Sequence, residues 1–268
     1  MKRKIFVNLL GTAVLGLGVR PLSFGFQQTN VTNPIICKKA WEALCGNVGS
    51  VYKTDAFKYI EPKADLPNVL IYGDSVSIMY SSTVIKSLEG KANVIRLFKN
   101  GGSSKNFIPN MEKMQTAMFQ PNLEQGWDFK WDVIYFNVGL HDLKYLKGKH
   151  LNINGEQVST LSAYKLQLDT ICDYLSTNYP EAKLIFATTT PVPDGAKGRK
   201  EGDSIAYNIA ALEVISQYPN IDVNDLYTYT KPHQEIWAQE PGNVHYNALG
   251  SEEQGKEVAR VISEQLKK

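Results

Sequence analysis

The stretch VLIYGDSVS, residues 69–77, is a run of strand-forming residues broken at Gly73-Asp74-Ser75. A serine hydroxyl becomes a nucleophile when a base takes its proton. Histidine is the usual base because its pKa lies near neutrality. The oxyanion that develops then needs N–H donors at about 3 Å. Asp74 and Ser75 also suit a plainer role, capping the helix that follows, because both side chains accept the free N–H groups of a first helical turn. The chain has four histidines, His141, His150, His233 and His245, and the partners for a reactive serine must come from among them.

The elements that would position these residues can be read from the alternation of the chain. Strand-like runs occur at NVLIYG, NVIRLF, WDVIYFNVG, AKLIFATTTPVP and IDVNDLY. Between them the spacing of apolar residues predicts helices over 78–88, 108–119, 161–179 and 203–217, with a closing helix over 248–266. Strands alternating with helices imply parallel pairing with helices on both faces, and strands apolar on both sides fit a buried parallel sheet. Ligands of such sheets bind beyond the carboxyl ends of the strands. Gly73-Asp74-Ser75, the loop KNGGSSKNF, the segment VGLHD, the turn TPVPDG and the loop EPGNVHYNALG all fall at that edge. His141 and His245 lie there with Ser75.

Composition sets the class. With 268 residues, 43% hydrophobic and 21% charged, the chain suits one α/β domain with a full core. A net charge of +2 gives no case for nucleic acid or an anionic membrane surface. Lys2, Arg3 and Lys4 precede an apolar stretch from Ile5 to Val19, with small residues at Ser23 and Gly25. That pattern fits an export signal over 1–25 and is short for a membrane span; an uncleaved anchor is the alternative. Residues 26–66 read as an N-terminal extension with one short helix near 36–46, and 67–268 as the catalytic domain. The cysteines are Cys37, Cys45 and Cys172. On one helix, Cys37 and Cys45 would stand about 12 Å apart, too far for a disulfide, so three thiols are expected if that segment is helical.

In its motifs the chain resembles the SGNH (GDSL-type) hydrolases. YGDS is similar to their first block, NGGSS to the second, VGLHD to the third and NVHYNALG to the last. The resemblance runs from about Asn68 to the C-terminus. It implies a flavodoxin-like three-layer α/β/α sandwich on a parallel five-stranded sheet. Ser75 would be the nucleophile and give a backbone N–H to the oxyanion hole. Gly102 would supply a second backbone N–H, His141 would stand where the family has its asparagine donor, and His245 would be the base. No cofactor or metal is implied.

The chain departs from the family pattern at two positions. His141 replaces asparagine, and an imidazole N–H can still donate once its tautomer is fixed. Gly242 stands where the family has the Asp of Asp-x-x-His. A backbone carbonyl or Asn243, then Glu240, are the candidates to orient His245 in its place, with Asp194 a remote one. Asp142 reads as a cap of its loop. Trp127, Trp131 and Trp237 read as core or rim. The polar insertion KYLKGKHLNINGEQ could border a groove. The function implied is an exported serine esterase, secreted or periplasmic, most readily deacetylating a carbohydrate. The partner is then an acylated carbohydrate or other small ester, with no nucleic acid and no stable membrane partner. The alternatives are an O-acyltransferase using the same residues and a catalytically weakened carbohydrate-binding module. A metallophosphoesterase fits poorly, since no Asp-x-His precedes GDS and position 77 is Ser.

Overall fold

The computed structural model describes residues 32–46 and 54–268. The expected export signal over 1–25 lies outside the described residues. In chain order the elements are α1 (Pro34–Cys45), β1 (Asn68–Tyr72), α2 (Ser75–Ser87), β2 (Asn93–Arg96), α3 (Phe107–Met118) and β3 (Val133–Phe136). Three short strands follow, β4 (Tyr145–Lys147), β5 (His150–Leu151) and β6 (Glu156–Gln157). The chain continues through α4 (Leu161–Asn178), β7 (Lys183–Ala187), α5 (Asp203–Ile215), β8 (Ile221–Asn224), the short turns α6 (Leu226–Thr230) and α7 (Gln234–Trp237), and α8 (Ala248–Leu266).

The main sheet has five strands in the order β2-β1-β3-β7-β8, all parallel. Val69 faces Val94 on one side and Val133 on the other, and Phe136 faces Phe186. β1, β2, β3 and β7 are buried along nearly their whole length, and this two-sided burial is what their continuous apolar runs reflect, while the edge strand β8 exposes Asp222 and Val223. α2 packs on α8, while α1, α3, α4 and α5 pack in succession as a second group. The result is a three-layer α/β/α sandwich of flavodoxin-like strand order. The chain reverses direction across the sheet between β1 and β3, where crevices form at the strand ends.

α2 begins at Ser75, three residues earlier than the apolar spacing suggested, because Asp74 caps it by accepting from the Val76 N–H at 2.9 Å. α8 approaches α2 closely at Gly255, where a Cβ would lie 2.6 Å from Thr83 Cβ. This contact sets the loop before α8 over the start of α2. α1 is helical as expected and packs into the same core through Cys37 and Trp41. All three cysteines are free. Trp127 and Trp131 are core residues in a cluster with Phe119 and Phe129. The polar insertion after β3 forms a small antiparallel sheet, β5-β4-β6.

Candidate active site

β1 ends at Tyr72, and the turn Gly73-Asp74 delivers Ser75 as the first residue of α2. Gly73 has no room for a side chain, since a Cβ would meet Ser77 Cβ at 2.8 Å. Arg96, buried at the end of β2, braces this turn. Its guanidinium donates to the Gly73 carbonyl at 2.7 Å, the Asp74 carbonyl at 3.0 Å and Ser77 Oγ at 2.9 Å. The Phe57 ring, from the segment before β1, covers Arg96 at 5.0 Å. The sequence signal for Arg96 is its place as a lone charge inside the apolar run NVIRLF.

His245 lies 170 residues further along the chain, and its Nε2 stands 2.8 Å from Ser75 Oγ. Its loop is tied down at several points. Asn247 accepts from the Gly250 N–H at 2.9 Å to cap α8, and the His245 carbonyl accepts from the Gln239 N–H at 3.0 Å. Asn243 Oδ1 accepts from the His245 main-chain N–H at 3.0 Å and lies 2.9 Å from His245 Nδ1. Asn243 Nδ2 donates to Glu240 Oε1 at 3.2 Å. A backbone N–H can only donate, so the atom facing His245 is the amide oxygen. Nδ1 therefore carries the ring proton, and Nε2 is left to accept from the serine hydroxyl.

The absence of Asp at position 242 has a backbone cause. Asn243 N–H donates to the Glu240 carbonyl at 3.1 Å, and Gly242 has φ +72. Pro at the second place and a left-handed Gly at the third is the pattern of a type II turn. A Cβ at Gly242 would stand 3.1 Å from the Gly195 carbonyl oxygen. A side chain here is strained and crowded, and the orienting group comes from the next residue instead. Asp194, the remote candidate, is exposed and accepts from the Gly195 N–H.

Burial lowers the His245 pKa below its ordinary value. The Asp74 carboxylate opposes that shift and the Arg199 guanidinium adds to it. His141 is pushed down to about 4 by burial, with Asp74 opposing and Lys144, Arg199 and His245 contributing in the same direction as burial. Both shifts favour the neutral imidazole. His141 Nδ1 lies 3.1 Å from Lys144 Nζ.

The loop carrying Gly102 is held against the nucleophile turn. Gly101 N–H donates to the Gly73 carbonyl at 2.9 Å, and the Tyr72 hydroxyl donates to the Gly101 carbonyl at 3.0 Å. Gly102 itself has φ +70, and its N–H donates to Asn100 Oδ1 at 3.0 Å. To reach an oxyanion this N–H must share or exchange that bond. Asp142 is fully buried and does more than cap its own loop. It accepts from the Ser104 N–H at 3.0 Å and from the Ser104 hydroxyl at 2.5 Å, tying the Gly102 loop to the His141 loop. Among the described residues, no group of His, Cys, Asp and Glu side chains is gathered to hold a metal ion.

The arrangement is a strand-end serine in line with a neutral histidine and a fixed acceptor behind it, the geometry that activates a hydroxyl for acyl transfer. The fold that carries it is similar to solved structures. A lipase/acylhydrolase from Enterococcus faecalis superposes with a TM-score of 0.55 at 16% identity, over 75% of this chain and 97% of its own. An acetyl xylan esterase gives 0.56 at 14% identity over 73% and 99%. A candidate SGNH hydrolase from Slackia heliotrinireducens gives 0.54 at 13% over 74% and 100%. No family model matches the sequence, and no curated protein does. The chain has the SGNH hydrolase fold.

Proposed function

We propose that this chain is a serine esterase of the SGNH type, with Ser75 as nucleophile, His245 as base and Asn243 orienting the base. The observation that carries the reading is the 2.8 Å contact between Ser75 Oγ and His245 Nε2, with His245 Nδ1 bonded to Asn243. Nε2 takes the hydroxyl proton as Oγ attacks the acyl carbon. The Ser75 and Gly102 N–H groups and the His141 side chain stabilise the oxyanion. Collapse breaks the ester C–O bond, and the proton on Nε2 passes to the leaving alcohol. Water, deprotonated by the same nitrogen, then attacks the acyl-serine, frees the carboxylic acid and restores Ser75.

Asn243 is a neutral acceptor and stabilises the imidazolium less than a carboxylate would. Exchange of Asp for Asn in a serine triad costs about 10⁴ in turnover when it leaves the histidine in the wrong tautomer. Here the amide oxygen faces the ring, so that larger loss is avoided and turnover is modest.

The substrate we infer is an acetylated carbohydrate, in keeping with the acetyl xylan esterase among the similar folds. Export rests on the basic residues and apolar stretch over 1–25, and residues 67–268 are taken as the catalytic domain. No helix among the described residues is long and apolar enough to cross a membrane. The test is acetate release from acetylated xylan and from p-nitrophenyl acetate by the full chain. Release from both that is lost in Ser75→Ala supports the reading. Release from the small ester alone moves the substrate away from polysaccharide, and release from neither contradicts an esterase.

A further inference from the structure

His141 raises the same question as His245. An imidazole has two ring nitrogens, and it can stand in for an amide donor only if the nitrogen facing the oxyanion keeps its proton. Nδ1 of His141 faces Lys144 Nζ at 3.1 Å. An ammonium has three N–H groups and no lone pair, so it can only donate. We propose that Lys144 is a positioning residue that donates to His141 Nδ1 and thereby fixes the neutral ring as its Nε2–H tautomer, the form able to donate to an oxyanion. This inference rests on the reading of Ser75 as nucleophile and of His141 as oxyanion donor.

The backbone around Lys144 is built to hold it. Asp142 and Leu143 N–H groups both donate to the Gly139 carbonyl, closing a tight turn that brings His141 and Lys144, three residues apart, to one face. The Lys144 carbonyl accepts from the Val158 N–H at 3.0 Å, and the next residue, Tyr145, donates to the Gly198 carbonyl at 2.7 Å. The small sheet β5-β4-β6 therefore roots Lys144 from beyond the site, and Arg199 Nε donates to the Leu140 carbonyl at 3.2 Å on the other side of the loop. Burial first, and then the nearby Arg199, lower the Lys144 pKa below the ordinary lysine value, while the Asp142 and Asp74 carboxylates oppose that shift and favour the ammonium. His141 is neutral, which leaves one proton to be assigned between its two nitrogens.

The experiment has two arms. In the first, long-range ¹H–¹⁵N NMR of histidine-labelled protein near pH 7 reads the tautomer of His141 directly and needs no activity. Nε2–H in the wild type, giving way to a mixture in Lys144→Met and restored in Lys144→Arg, supports the proposal. Nδ1–H in the wild type overturns it, as does a tautomer unchanged in Lys144→Met.

The second arm measures turnover of p-nitrophenyl acetate in a double-mutant cycle. Lys144→Met should lower kcat by about 10- to 100-fold with little change in KM, somewhat less than loss of the donor itself. An asparagine amide has no tautomer to fix. In a His141→Asn background the same Lys144→Met change should therefore cost within about threefold. An equal loss in both backgrounds makes Lys144 merely structural and overturns the proposal. If the wild type turns over no ester at all, the esterase reading fails, and the NMR arm still decides the state of His141.

Discussion

Asn243 Oδ1 accepts from both N–H groups of His245, the main chain at 3.0 Å and Nδ1 at 2.9 Å. One oxygen thus fixes both the backbone and the ring of the base. Asn243→Ala should lower kcat on p-nitrophenyl acetate by about 10²-fold or more, since the ring loses both its orientation and its tautomer. Asn243→Asp should instead raise the His245 pKa, because a carboxylate beside the ring favours the imidazolium. The acidic limb of the pH–rate profile should then move to higher pH. Glu240 touches Asn243 Nδ2 and not the histidine. Glu240→Gln should stay within a few-fold of wild type, and a loss on the scale of His245→Ala would make Glu240 the working carboxylate.

Restoring the family's Asp at position 242 should fail. Gly242 has φ +72, and its Cβ position is 3.1 Å from the Gly195 oxygen. Gly242→Asp should destabilise the fold by about 1 kcal/mol or more and give no gain in kcat, read from thermal unfolding and steady-state kinetics together. A gain in kcat would mean that the loop adopts another turn.

The pH profile has a definite sign. The base must be neutral to act, and the His245 pKa is lowered by burial and by Arg199. The acidic limb of kcat/KM should therefore have its midpoint below the ordinary histidine value of about 6.5. Arg199→Gln removes one of the two lowering influences and should move that midpoint upward. A midpoint above 6.5 in the wild type would contradict the burial of the ring.

Arg96→Met should loosen the nucleophile turn. The guanidinium makes charge-assisted bonds to the Gly73 and Asp74 carbonyls and to Ser77, all buried. Losing them should cost roughly 2–4 kcal/mol in chemical unfolding, with activity falling further than the folded fraction. Unchanged stability would mean that water or a rearranged turn takes over those carbonyls.

Apolar periodicity made the sandwich legible, because β1, β2, β3 and β7 are short runs buried on both faces, with only the edge strand β8 exposed at Asp222 and Val223. The strand-end rule puts Ser75, His141 and His245 at one edge of the sheet, and the resemblance of NVHYNALG to the family's last block singles out His245. The site's supporting residues were hidden for local reasons. Asn243 escaped a firm assignment because the turn at Pro241-Gly242 shifts the orienter by one residue. Asp142 looked like a local cap because its partner, Ser104, is 38 residues away. β4, β5 and β6 are two or three residues long and polar, so no alternation could mark them. Lys144 was invisible because only the folded loop brings it to a ring nitrogen.

The central claim is that Ser75 is the nucleophile and His245 its base. Intact-mass measurement after treatment with a fluorophosphonate tests it most directly. The wild type should gain one adduct, mapped by peptide sequencing to Ser75. Ser75→Ala should gain none, and His245→Ala should label far more slowly. An adduct on a different serine, or labelling of wild type and Ser75→Ala at equal rates, would contradict it.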